Sequence, residues 1–170
     1  MARMEWVIGT TVLQTFEDRP RGHAARAALL RLLLAGGHRA AQVAAAQDEV
    51  EAHGLLASME GLAAPGFEEW LRQRIADIGF ESGDDLALLT DDDLRPGLLT
   101  DEQRAMVDRD FPRQLEIGGL GLTASYDLAQ RRVTLRAARS GRPAPRPDFL
   151  PRWPGWTVVY DDGKHSMVLR

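Results

Sequence analysis

The stretch LEIGGLGLTASYDLAQRRVTLR, residues 115–136, decides the fold class. Leu115 and Ile117, then Leu120, Leu122, Ala124 and Tyr126, alternate with polar or small residues. Val133 and Leu135 alternate in the same way with Arg132, Thr134 and Arg136. A period of two puts successive side chains on opposite faces of a strand, so this stretch predicts antiparallel strands with one buried face. Gly118-Gly119 and the segment from Asp127 to Gln130 supply the residues of two hairpin loops. Trp156, Val158 and Tyr160, then Met167 and Leu169, predict two more strands around the turn sequence Asp161-Asp162-Gly163-Lys164.

Between these hairpins runs the segment from Arg139 to Pro154, which holds five of the nine prolines. Proline fixes φ and has no backbone N–H to donate, so the segment predicts an extended, partly polyproline arm.

Upstream of Phe111-Pro112 the periodicity is helical. His23 to Ala35 is built of strong helix formers with leucines at 29, 30, 32, 33 and 34, and Gly36-Gly37 is a stop signal. A second helix is expected from Arg39 to His53, ended by Gly54. Phe67, Trp70, Leu71, Ile75 and Ile78 share one face of a third. Thr90 with Asp93, and Thr100 with Gln103, have capping-box spacing, and each pair is expected to open a short helix. Trp6 to Phe16 alternates only loosely, and periodicity leaves strand and helix both open there. His23 and its neighbours resemble the residues around His38, but a lone 15-residue offset is compositional bias rather than a repeat.

The expected fold is therefore α+β. A mainly helical, acidic region over 1–110 precedes a small antiparallel β domain over 111–170 with a basic, aromatic, proline-rich arm. The overall charge of −4 conceals a division. Residues 130–170 hold nine Lys/Arg against three Asp/Glu, and residues 1–129 hold twelve against twenty-two. Such asymmetry points to an anionic partner for the basic end.

Several chemistries find no support. The chain has no cysteine, which excludes disulfides, zinc–thiolate sites and thiol catalysis. Its apolar run from Ala27 to Ala35 is too short to span a bilayer, and Met1 to Trp6 carries an acid without a following apolar segment, so no membrane contact or signal peptide is expected. The reading is cytoplasmic, and the Ala/Arg/Gly/Leu/Asp-rich composition is that of a GC-rich bacterial genome. His23, His38, His53 and His165 lack metal-ligand spacing. Asp84-Asp85 and Asp91-Asp92-Asp93 lack the alternation of a calcium loop and suit helix first turns instead. Gly118-Gly119-Leu120-Gly121 has strand pattern on both sides, which fits a hairpin turn rather than a phosphate loop. His165 and Ser166 are adjacent on a predicted strand and face opposite ways. No Gly-x-Ser-x-Gly occurs and no carboxylate pair stands out, so no catalytic residue, metal or cofactor is assigned.

Arg132, Thr134 and Arg136 fall on one strand face, and a row of guanidinium groups suits backbone phosphates. Trp153, Trp156 and Tyr160 lie in or just after the arm, and aromatic faces among arginines are how single strands are stacked and clamped. The candidate nucleic-acid contacts are Arg131, Arg132, Arg136, Arg139, Arg142, Arg146 and Arg152, with Trp153 or Trp156 stacking on a base. The plain structural reading is that the aromatics anchor the arm on the β core and the arginines solvate it.

Asp110-Phe111-Pro112-Arg113-Gln114-Leu115, Tyr126-Asp127, Arg131 to Leu135, Phe149-Leu150-Pro151 and Pro154-Gly155 together form a pattern. From Asp110 onward it resembles the C-terminal accessory region of some bacterial DEAD/DEAH-box helicases. The resemblance implies an RNA- or DNA-associated role with the ATPase motor elsewhere, since this chain has no Walker-type Gly-Lys-Thr and no Asp-Glu-Ala-His/Asp. Leu86 to Leu98, with Leu88-Leu89-Thr90-Asp91-Asp92-Asp93-Leu94, faintly resembles the core of sterile-alpha-motif helical modules, which bind proteins or RNA. The expectation is a noncatalytic accessory module contacting single-stranded RNA or DNA, partnered by a helicase motor or another protein. The alternative is a protein-docking module without nucleic-acid contact.

Overall fold

The computed structural model describes residues 2–8, 10–18, 20–139 and 141–170, and for 2–8 and 12–18 the backbone alone. Met1, where the leader reading began, and Ser140 within the arm lie outside the described residues. In chain order the elements are β1 (Ala2–Ile8), β2 (Thr11–Asp18), α1 (Gly22–Leu34), α2 (Ala40–Met59), α3 (Phe67–Asp77), α4 (Asp101–Asp110), β3 (Gln114–Ile117), β4 (Leu120–Asp127), β5 (Arg132–Ala137), β6 (Thr157–Asp161) and β7 (Ser166–Val168). Helices dominate the N-terminal part and strands the C-terminal part, so the fold is α+β. No described helix is long and apolar enough to cross a membrane.

The chain divides into two compact units that interleave along the sequence: residues 1–51 with 65–98, and residues 52–64 with 99–170. The boundary expected at 110/111 thus falls inside the second unit, which takes α4 and the last turns of α2. Charge follows the units. The first holds nine Lys/Arg against fifteen Asp/Glu, the second twelve against ten.

In the first unit β1 and β2 form an antiparallel hairpin, which settles the stretch that periodicity left open. Ala25, Leu29 and Leu33 of α1 bury against Leu71 and Ile75 of α3, joined by Val43, Phe80, Leu89 and Leu94. Gly36 ends α1 with a φ of 69°, in the left-handed conformation where glycine costs least. The acid clusters cap short 3-10 turns. The Asp85 carboxylate accepts from the backbone N–H groups of Glu81 and Ser82, and Asp93 accepts from the Thr90 hydroxyl and N–H. Thr90 and Asp93 exchange both capping bonds but open only the single turn Asp92–Leu94, whereas Thr100 and Gln103 do the same and open α4.

Gly54 does not end the second helix. α2 continues to Met59, and Gly54 is buried inside it, where an added Cβ would lie 2.6 Å from Leu128 Cδ1. The glycine marks a close approach of helix and loop, and the helix goes on because Ala52, Leu55 and Leu56 belong to the core of the second unit.

That core lies on one face of the five-stranded sheet β3-β4-β5-β6-β7. Leu122, Ala124, Val133, Leu135, Val158 and Tyr160 bury together with Val107 of α4, with Phe111 just after it, and with Leu150 and Trp153 of the arm. Gly118 and Gly119, with φ of 59° and 76°, form the β3–β4 turn with both central residues left-handed. One pairing departs from the antiparallel expectation: β5 and β6 run parallel. A parallel pair cannot be joined by a tight turn and needs a crossover, and the proline arm is that crossover.

Candidate functional site

β5 places its residues as the alternation requires. Val133 and Leu135 are fully buried, and Arg132 and Arg136 are exposed on the other face. On that open face Arg136 stands in register between Thr123 and Asp161, and Arg132 between Asp127 and Thr157. Arg136 donates to the Asp161 carboxylate from Nε (3.2 Å) and Nη2 (2.8 Å), and this pairing holds the Asp161 carboxyl below its ordinary range. Asp127 uses Oδ1 to accept from the Gln130 N–H and so closes its own loop. Arg131 ends that loop in the left-handed conformation, and its carbonyl accepts from Thr157 N–H at 2.8 Å to start β6.

The arm folds back on its core and is pinned at intervals. Gly141 N–H donates to the Asp162 carbonyl, and the Tyr160 hydroxyl donates to the Arg142 carbonyl at 2.9 Å. Pro145 and Leu150 are buried, and Pro147–Phe149 forms one 3-10 turn. Trp153 closes the series: it is 3% exposed, donates its indole N–H to the Asp110 carbonyl at 3.1 Å and meets Tyr126 edge to face. It is an anchor of the arm, and it also lines the larger of the two clefts described below.

Between the pins the arm carries four arginines. Arg131, Arg132, Arg139, Arg142, Arg146 and Arg152 are all exposed, and none has an ion pair among the described residues. Elsewhere Arg26, Arg39, Arg72, Arg95, Arg104 and Arg109 each pair with at least one acid, while Arg21, Arg31, Arg74 and Arg170 have no ion pair among the described residues. The ends of β5 open into two clefts. One, of about 370 Å³, brings Arg139 and Arg142 beside the glycine turn Gly118–Gly121. The other, of about 570 Å³, brings Arg131 and Arg152 together with half-buried Trp156, Phe111, Met59 and Pro154. Seven residues at a strand rise of about 3.3 Å separate Arg131 from Ala138 at the first cleft, a span of roughly 23 Å. Arg146 lines neither cleft.

The strongest perturbation of an ionisable group belongs to Tyr126, whose hydroxyl is pushed well up by burial and donates to the Pro112 carbonyl. The lowered carboxyls Asp110 and Asp162 owe their shifts to the Arg109 guanidinium and to backbone N–H groups of the β6–β7 turn. These are structural roles. No group of three His, Asp or Glu side chains among the described residues converges on a metal position.

Sequence reasoning missed the clefts. Part of the wall of the larger cleft comes from Ser58, Met59 and Gly61, which lay beyond the expected helix end. Gly61, with a φ of 72°, was the actual stop signal. Compared with protein-family models, characterised proteins and solved structures, the chain matches none.

Proposed function

We propose that the second unit is a noncatalytic module that binds an extended single strand of RNA or DNA along β5 and the arm, as an accessory to activity carried elsewhere. One observation carries the reading. In a chain with more acids than bases, six neighbouring arginines stand exposed without a carboxylate among the described residues, whereas seven other arginines each pair with at least one. Unpaired guanidinium groups held at fixed points of a rigid crossover present donors that match phosphate geometry. The two clefts about 23 Å apart along β5 suit a chain of several nucleotides rather than one small anion.

The test is fluorescence anisotropy with a labelled single-stranded oligonucleotide over a range of salt. Six phosphate contacts predict a log–log slope of about −4, since each contact contributes about −0.7 on single strands. Changing Arg139, Arg142 and Arg146 together to Gln reduces the slope to about −2. No binding at low salt, or a slope unmoved by the triple change, refutes the reading and leaves the docking module in its place.

A further inference from the structure

We infer that the cleft of Arg131, Arg152 and Trp156 is a base pocket, which takes one unstacked base of the bound strand against the indole while the two arginines hold the flanking phosphates. This rests on the nucleic-acid reading and adds a specific subsite to it.

Four observations carry it. The volume, about 570 Å³, lies within the ~300–1,000 Å³ of small-ligand pockets and has room for a nucleotide. Its walls are unlike those of the other arginine cleft, which is lined by glycine backbone. Here Trp156, Phe111, Met59 and Pro154 supply apolar surface of the kind a base face seeks. Trp156 packs against Phe111 (centroids 5.7 Å apart) and Tyr126 (6.1 Å, edge to face), so its ring is held before any ligand arrives. Its indole N–H, in contrast with that of Trp153, has no acceptor among the described residues and is free to donate to a base carbonyl.

The charges agree. Asp110 also lines the cleft, but Arg109 holds its carboxylate through two bonds of 2.7 and 3.0 Å. Arg131 and Arg152 have no such partner, so the uncompensated charge at the mouth is positive. Gly155, between Pro154 and Trp156, has a φ of 76°, a conformation that favours glycine. An acidic peptide would satisfy the arginines but leave the aromatic wall and the indole donor unused.

The experiment compares two labelled oligonucleotides of equal length, one with bases and one abasic, on the full chain. Binding the first is expected to quench the fluorescence that Trp156→Phe removes, and to be about five- to a hundredfold tighter than binding the abasic strand. Trp156→Leu is expected to erase that preference, so that the two strands bind with equal affinity. Because Trp156 packs on Phe111 and Tyr126, Arg152→Gln serves as a second variant on an exposed, unpaired side chain. It should lower affinity for both strands and weaken the Trp156 quench. Equal affinity for the two strands, or an unquenched Trp156 in the saturated complex, overturns the base pocket while the nucleic-acid reading stands. Failure of both strands to bind at low salt overturns both. Quenching of Trp156 by an acidic peptide in preference to the oligonucleotide also overturns the pocket.

Discussion

Replacing Trp153 by Phe separates an anchoring role from a stacking one. The indole N–H to Asp110 carbonyl bond is lost, at about 1 kcal/mol. The smaller ring leaves part of a buried site unfilled and gives up some edge contact with Tyr126, at about 1–2 kcal/mol more. The expected destabilisation is about 2–3 kcal/mol, a large part of the ~5–15 kcal/mol that holds a domain together. In Tm this is a fall of about 10–20 °C for a unit of this size. The assay is thermal unfolding followed by near-UV circular dichroism, with oligonucleotide affinity measured well below the transition. The anchoring account predicts a large fall in Tm and unchanged affinity in the folded protein. A Tm within about 2 °C of the parent together with a tenfold loss of affinity would refute it, because the ring would then be serving ligand rather than core.

Two further outcomes follow from the caps and the ion pair. Thr100→Ala removes the hydroxyl that accepts from Gln103 N–H and is expected to cost about 1 kcal/mol, read as a lower urea midpoint. Asp85, Asp93, Asp110, Asp161 and Asp162 all have lowered folded-state values, so their contribution is present above the unfolded carboxyl pKa of about 3.9 and is lost as the pH falls through the lower folded values. The urea midpoint should therefore drop steeply below about pH 4, and Asp161→Asn should flatten part of that drop; a midpoint flat in that range contradicts the assignment.

The sheet could be read from residues 115–136 because one buried face imposes a period of two, and Val133 and Leu135 answer to it directly. The parallel β5–β6 pair could not, because alternation reports which face a residue takes and not which neighbour its strand has. Gly54 misled for a related reason. In sequence a glycine after a helical run looks like a terminator, and only the position of Leu128 shows that it serves a close contact instead. At the candidate site the arginines could be named from composition, but their pairing could not. Arg132 and Arg136 look equivalent in sequence. Only the register sets Arg136 beside a carboxylate that is free to pair, while the Asp127 opposite Arg132 caps its own loop.

The arm joins these threads. A parallel pair obliges the chain to cross from the end of β5 to the start of β6, and the crossover must satisfy its own polar groups on the way. Prolines reduce that demand by removing N–H donors, and the arm's carbonyls at Arg142 and Pro151 are met by the Tyr160 hydroxyl and the Arg170 guanidinium. Of its apolar positions, Pro145, Leu150 and Trp153 face the core, while Phe149 is exposed. The positions left over point to water, and four of them are arginine: Arg139, Arg142, Arg146 and Arg152. The segment that closes the sheet is therefore the one that carries the charge, and the two roles occupy different atoms of the same residues. Deleting the arm would unfold the unit and say nothing of binding. Exchanging its arginines for Gln leaves the prolines, the anchors and the backbone bonds in place, so a change in affinity then reports on charge alone.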